Sequence, residues 1–265
     1  MPGLVGVCAG YELKGWRCEQ LVSHLVKWLP EFALRHSELA ALGPENAVEL
    51  VARAAQVVYT SPKYQQRGEI GELLLHIVMR QVFHTLPAIS KYFFKDASND
   101  TVKGFDGVHV VATDEALELW LGEAKFYEDI GEAIREAVKS LQQHVNRDYL
   151  RAEFAAITNK VDDSWPHAAR LKKLIQPETS LDDVFDAMCV PVLLTYNSPT
   201  IAAHESVTRA FQAAFEKELL AHRDTFAGKT FPDSLRIHLF LFPMKEKRDL
   251  LSRFDAKLKA CQSLA

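Results

Sequence analysis

Two carboxylates and a lysine lie at the ends of two neighbouring strand-like segments. Glu123 and Lys125 follow the apolar run that begins at Leu117, and Asp106 precedes an apolar run that continues to Ala112. Side chains alternate between the two faces of a strand, so Glu123 and Lys125 share one face. Carboxylate oxygens are ligands that Mg²⁺ prefers, and a nearby ammonium group can stabilise charge on a phosphate. These residue types predict the site of a divalent-metal phosphodiesterase.

An antiparallel hairpin between the two segments would bring the two carboxylates together. With residues 113–116 as the loop, Ala112 faces Leu117 and Asp106 faces Glu123. A shift of one residue would turn Asp106 to the opposite face from Glu123. The register that pairs the apolar positions therefore also pairs the carboxylates.

In this arrangement each group has an expected role. We expect Asp106 and Glu123 to bind one or two Mg²⁺ or Mn²⁺ ions, with the backbone carbonyl of Ala124 as a further ligand. The ion would polarise the phosphate and lower the pKa of the attacking water. Lys125 would orient that water or stabilise the charge that develops on the phosphate.

A further acidic group is expected on the helix predicted for residues 68–83. Glu69 and Glu72 lie three residues apart on one helical face, and we favour Glu72 as the site residue, with Glu69 second. An ordinary first-turn glutamate, favoured by the helix dipole, is the alternative. Gly68 and Gly71 would destabilise a helix, which predicts a close approach of this helix to the sheet.

The elements that must position these groups follow from the hydrophobic periodicity. The pattern predicts helices first, then three strands, a long amphipathic helix, a further helix, a strand, a helix, a strand and a closing helix. This order predicts one α/β domain with a mixed sheet and an α-β-β-β-α-β core. The predicted segments after residue 83 are strands 89–95, 105–112 and Leu117–Phe126, helices 129–158 and 165–175, strand 190–196, helix 204–222, strand 237–242 and helix 245–261.

Composition bounds the class of protein. The 265 residues are 48% hydrophobic and 25% charged, which is typical of a globular protein with a substantial core. The formal net charge of −4 argues against a tight, non-specific DNA-binding protein, so contacts with DNA would need local patches or a partner. The pattern shows no signal peptide and no membrane-spanning run, which predicts a cytoplasmic protein. Four cysteines lack metal-ligand spacing: Cys8, Cys18, Cys189 and Cys261.

The ordered set Glu72, Asp106, Glu123 and Lys125 resembles the PD-(D/E)XK nuclease superfamily, which has an α-β-β-β-α-β core. The proline that commonly precedes the aspartate is absent, because Phe105 stands there. More narrowly, residues 67–76, 104–109 and 121–127 resemble the HamA family, the nuclease component of the Hachiman anti-phage system.

The resemblance to HamA spans residues 65–145 by motif, and the remainder by element order. It implies that the chain is a metal-dependent deoxyribonuclease, with DNA as its substrate and a HamB-like helicase as its partner. It also suggests that Gln142 and Gln143 approach the site or the DNA. We expect one domain of residues 1–265, with a helical extension at 1–64, a catalytic core at 65–200 and a C-terminal extension at 201–265.

Two alternatives stay open at this point. One is another enzyme of the same superfamily, such as a restriction-like endonuclease or a junction resolvase. The other is a nuclease-derived adaptor that binds DNA or a partner without cutting. An adaptor has no physical need for the combination of Asp106, Glu123 and Lys125, which favours an enzyme.

Overall fold

The computed structural model describes residues 2–58, 68–90, 104–231 and 235–264. The helices and strands within these ranges are β1 (Gly3–Gly6), β2 (Tyr11–Glu12), β3 (Gly15–Trp16), α1 (Cys18–Lys27), α2 (Leu29–Ala33), α3 (His36–Ala40), α4 (Ala47–Val58), α5 (Glu69–Phe83), β4 (Leu86–Ser90), β5 (Gly107–Ala112), β6 (Leu117–Phe126), α6 (Ile130–His144), α7 (Arg147–Lys160), α8 (Ala168–Ile175), α9 (Leu181–Asp186), β7 (Met188–Asn197), α10 (Pro199–Ala203), α11 (Arg209–Ala227), β8 (Ile237–Met244) and α12 (Lys247–Gln262).

Six of these strands form a mixed sheet in the order β1-β8-β7-β6-β5-β4. Strands β4, β5 and β6 pair antiparallel, whereas β6, β7, β8 and β1 pair parallel. Parallel neighbours need a long crossover connection, and helices α6 to α9 supply it between β6 and β7. The prediction of an α/β fold with a mixed sheet is therefore confirmed.

The β5–β6 hairpin has the predicted register. Ala112 pairs with Leu117 at the loop end, and Gly107 pairs with Gly122 at the other end. The backbone N–H of Asp106 donates to the carbonyl of Gly122 at 2.8 Å, which continues the pairing one residue beyond β5. Asp106 thus lies beside Glu123, as the apolar alternation predicted.

Helices cover both faces of the sheet, so the core has two layers. One layer packs α1, α2, α4, α5 and α12 against the face that carries Trp120, Phe126 and Leu193. The other packs α6, α7, α8 and α11 against the face that carries Leu121 and Val192. In the described part of the chain, no helix combines the length and apolar character needed to cross a membrane.

Gly71 explains how closely α5 approaches the sheet. A Cβ atom on Gly71 would lie 2.9 Å from the Cβ of Phe126 and 3.6 Å from the Cβ of Ala124. The predicted close approach is thus confirmed at Gly71. A Cβ on Gly68 would meet nothing within 4 Å, so this glycine is not required by the packing.

The prediction of one continuous helix over residues 129–158 is wrong. The structure has two helices there, because α6 ends at His144 and α7 begins at Arg147. Asn146 separates the two helices. Its side-chain oxygen accepts hydrogen bonds from the backbone N–H groups of Asp148 and Tyr149 at 3.0 and 3.3 Å. An asparagine that caps the N-terminus of a new helix ends the preceding one, since its own backbone is extended.

Other boundaries also differ from the predictions. The strand predicted for 89–95 is observed as β4, and residues 91–95 lie outside the described residues. The predicted helix 204–222 begins only at Arg209, where the Thr208 side chain caps α11. Strand β7 begins at Met188, so Pro191 lies inside it, although the sequence suggested a position at its start.

Candidate active site

Asp106 is held at the start of β5 by backbone groups of β6. Its Oδ2 accepts a hydrogen bond from the backbone N–H of Ala124 at 2.8 Å. Its own N–H bonds to the carbonyl of Gly122, so the residue is anchored by both its backbone and its side chain. Asp106 is only 7% exposed. Two backbone contacts with one strand therefore fix this carboxylate with little freedom to rotate.

Glu123 and Lys125 form an ion pair on one face of β6. The Lys125 Nζ lies 2.7 Å from Oε1 of Glu123. Glu123 is 3% exposed, whereas the side chain of Lys125 is 18% exposed and reaches toward solvent. The strand alternation that the sequence predicted is confirmed, because Ala124 between them faces α5 on the other side of the sheet.

The charges of the three groups act on one another. Burial, followed by repulsion from Asp106, raises the pKa of Glu123 to about 7, against the opposing attraction of Lys125. Burial lowers the pKa of Lys125, but attraction to Glu123 and Asp106 outweighs it, so this pKa lies above its usual value. Lys125 is therefore a stable cation beside two buried carboxylates.

Helix α6 contributes two further side chains at this position. The hydroxyl of Ser140 hydrogen-bonds to the Glu123 carboxylate. The Nδ1 atom of His144 lies 3.5 Å from Oε2 of Glu123. Glu123 thus has neighbours from its own strand and from the helix that packs over that strand.

A family model described as HamA matches residues 2–258 of the 265-residue chain. The chain belongs to the HamA family. No curated protein matches it. The match extends far beyond residues 65–145, where the sequence motifs first indicated the resemblance, and confirms it over nearly the whole chain.

The two glutamates that the sequence suggested for this site, Glu69 and Glu72, lie at the beginning of α5. Both lie in its first turn and are partly buried. Their helix packs on the sheet face that carries Ala124 and Phe126, whereas Glu123 faces α6. The described contacts bring together Asp106, Glu123 and Lys125, and the inclusion of Glu72 or Glu69 stays a prediction.

Gln142 and Gln143 are exposed on α6, and the contacts with Glu123 are made by Ser140 and His144 instead. Sequence reasoning did not single out these two residues. A signal was present, because Ala133, Ala137, Ser140 and His144 follow one helical stripe. When polar residues continue the buried apolar stripe of a helix, that end of the helix packs against a polar site.

The oxygen donors of this candidate site suit a hard divalent cation. Asp106 and Glu123 are two buried carboxylates whose mutual repulsion a cation would relieve. Within the described ranges, no group of three or more His, Cys, Asp or Glu side chains is arranged to hold a metal. This donor set does not fit a zinc site with four protein ligands, but it fits Mg²⁺, which binds one or two carboxylates and keeps several waters.

A second polar cluster lies across the sheet from this site. His109 points to the face opposite Glu123, where Nε2 of His109 lies 3.2 Å from Nδ1 of His76. The Thr85 hydroxyl lies 2.8 Å from Nδ1 of His109. His109 therefore has a hydrogen-bonding partner at each of its two ring nitrogens.

Proposed function

We propose that this chain is a metal-dependent deoxyribonuclease of the Hachiman anti-phage system and that it works with a helicase partner. In this proposal the segment α5-β4-β5-β6-α6-β7 is a core of the PD-(D/E)XK type. The observation that carries the proposal is the proximity of the buried Asp106 and Glu123 carboxylates to the Lys125 ammonium. Membership of the HamA family supports the defence role.

Asp106 and Glu123 would hold Mg²⁺ or Mn²⁺, with the Ala124 carbonyl and Glu72 as further candidate ligands. When bound, the ion would polarise the scissile phosphate and lower the pKa of the attacking water. Asp106 is suited to this role because the Ala124 N–H already fixes one of its oxygens. A carboxylate that is held in place before the ion and the substrate arrive supports this role.

Lys125 would supply positive charge where the phosphate becomes more negative. Its pKa lies above the usual value, so it is charged at neutral pH and acts as a hydrogen-bond donor rather than as a base. Its side chain is 18% exposed, whereas the Glu123 side chain is 4% exposed. An incoming DNA backbone would therefore meet Lys125 before it meets Glu123.

The experiment is plasmid cleavage by the chain, with and without the helicase, in Mg²⁺ or Mn²⁺ and in EDTA. Glu123→Ala and Lys125→Ala are compared with the parent, and circular dichroism verifies that each variant is folded. Metal-dependent cutting that both folded variants lose would support the proposal. Absence of cutting by the parent under every condition would contradict it.

A non-cleaving adaptor is the second candidate, and one observation favours it. Lys125 lies within 2.7 Å of Glu123, so the carboxylate already has a counter-ion without any metal. An adaptor would bind DNA or the helicase equally well in the parent and in Glu123→Ala. The same plasmid experiment separates this candidate from the nuclease, and a sequence-specific cleavage pattern would indicate a restriction-like enzyme of the superfamily.

A further inference from the structure

The imidazole of His144 contacts three segments at the candidate site: the residue before Asp106, strand β6 and helix α7. It lies at the end of α6 and is 8% exposed. Its ring centroid lies 4.5 Å from that of Phe105 and 4.8 Å from that of Tyr149, and it is stacked nearly parallel to Tyr149. Its Nδ1 lies 3.5 Å from Oε2 of Glu123. The imidazole is thus held by aromatic contacts while one edge faces a carboxylate.

Phe105 directly precedes Asp106 in the chain, so the same imidazole acts on the surroundings of both carboxylates. Its ring contacts Phe105 in the segment that leads into Asp106, and its Nδ1 edge faces Glu123. Like charges repel, and burial strengthens this repulsion, so the two carboxylates would separate if nothing opposed them. The His144 nitrogen that faces Glu123 opposes that separation, and the contacts with Phe105 and Tyr149 hold this nitrogen in place.

The two oxygens of Glu123 face different partners. Lys125 approaches Oε1 at 2.7 Å, and His144 approaches Oε2 at 3.5 Å. A distance of 3.5 Å is long for a hydrogen bond, and such contacts often shorten when an enzyme binds its ligands. Ser140 adds a hydrogen bond from the preceding turn of α6. Contacts on both oxygens leave the carboxylate little freedom to rotate.

We propose that His144, assisted by Ser140, is a positioning residue that holds the Glu123 carboxylate at a fixed distance from Asp106 for a divalent cation. The inference rests on the proposed function, because a metal must bind at this pair of carboxylates. Partners that orient metal-binding carboxylates change metal affinity by about 10- to 100-fold when they are removed.

A purely structural role is the competing explanation, since the stack on Tyr149 also joins α6 to α7. Two substitutions separate the explanations. His144→Phe keeps an aromatic ring between Phe105 and Tyr149 but removes the nitrogen that faces Glu123. His144→Asn keeps a nitrogen donor near the position of Nδ1 but removes the ring.

The measurement is Mn²⁺ binding to the full chain by isothermal titration calorimetry, with thermal unfolding of each variant recorded in parallel. We expect His144→Phe to unfold near the parent temperature and to bind Mn²⁺ about 10-fold more weakly or worse. We expect His144→Asn to unfold at a lower temperature and to recover most of the Mn²⁺ affinity. Lys139→Ala, an exposed change on the same helix, is the control and should match the parent in both measurements.

The outcomes separate this inference from the proposed function. If the parent binds Mn²⁺ and His144→Phe binds it equally well, the positioning role is overturned and the nuclease proposal stands. If the parent binds no Mn²⁺, both are overturned. If His144→Phe does not fold, Ser140→Ala decides, since it removes a hydrogen bond to the same carboxylate and must also weaken Mn²⁺ binding.

Discussion

The imidazole of His76 contacts the imidazole of His109 inside the protein, with Nδ1 of His76 3.2 Å from Nε2 of His109. His76 lies on α5, four residues after Glu72, and His109 lies on β5, three residues after Asp106. The contact therefore joins the helix and the strand that carry two of the proposed site residues. It is a polar link within a mainly apolar layer, and at least one of the two rings must be neutral to supply the acceptor nitrogen.

This link predicts that the two histidines destabilise the folded protein in mild acid. Burial lowers the pKa of His76 and lowers that of His109 well below its usual value. Arg80 lowers the pKa of both rings further. Glu31 raises the pKa of His76, but this effect only partly offsets the effect of burial. The unfolded chain then binds more protons than the folded chain below about pH 6.5, and stability falls as the pH decreases from there toward the folded pKa values.

Urea unfolding between pH 5 and pH 8 measures this effect. Each histidine contributes a slope of up to about 1.4 kcal/mol per pH unit in the window below about pH 6.5. His109→Gln keeps a polar side chain next to Thr85 and His76 without a titrating group, and it should reduce the slope. His84→Asn, an exposed change, should retain it. Equal slopes in the parent and in His109→Gln would contradict the prediction.

Two substitutions of Asp106 should separate catalysis from stability. Asp106→Asn removes the charge that repels Glu123 but keeps an oxygen that accepts from the Ala124 N–H. We expect it to abolish cleavage while unfolding at or above the parent temperature. Asp106→Ala leaves that N–H without its acceptor and should lower the free energy of unfolding by about 1–3 kcal/mol. Thermal unfolding and plasmid cleavage are the two measurements, and a marked loss of stability in Asp106→Asn would contradict this account.

The contact of α5 with the sheet predicts that alanine at Gly71 lowers the stability of the protein much more than alanine at Gly68. The added methyl in Gly71→Ala would lie 2.9 Å from the Cβ of Phe126 and would push α5 away from β6. Overpacking of this kind costs about 1–3 kcal/mol. Gly68→Ala meets open space and should be nearly neutral. Chemical denaturation of both variants is the measurement, and equal stabilities would show that α5 can move without cost.

The cap at Asn146 should maintain the break between α6 and α7. Asn146→Ala removes the acceptor for the N–H groups of Asp148 and Tyr149, so we expect the free energy of unfolding to fall by about 1 kcal/mol. Asn159→Ala, an exposed position later in α7, is the matched control and should be neutral or slightly stabilising. Denaturant titration of the pair tests the assignment, which fails if the two variants are equally stable.

The hairpin could be predicted from the sequence because its information is local. Alternating apolar residues define the facing surfaces of β5 and β6, and one register satisfies both the apolar pairs and the Asp106–Glu123 pair. Gly71 likewise indicated the approach of α5 before any contact was known. In both cases the types of the residues in one short segment are enough to predict how that segment packs.

Features that depend on distant partners could not be predicted in this way. The positions of Ser140 and His144 against Glu123 depend on how α6 is rotated over the sheet, which the helical stripe indicates only after its packing face is known. The division of residues 129–158 depends on a single side-chain cap at Asn146, within a segment whose helical periodicity is otherwise continuous. Strand β1 contains four residues, too few to show a clear pattern.

The pairing of β1 with β8 determines the order in which the protein can be completed on the ribosome. Leu4 pairs with Leu239, which lies far along the chain, so this edge of the sheet stays open until β8 has left the ribosome. Glu123 pairs with Val192 of β7, so the strand that encloses the carboxylates also arrives late. Contacts between such distant residues form slowly, because a long loop must close first. A nascent chain that already contains Asp106, Glu123 and Lys125 therefore lacks the enclosed carboxylates until β7 and β8 have also been synthesised.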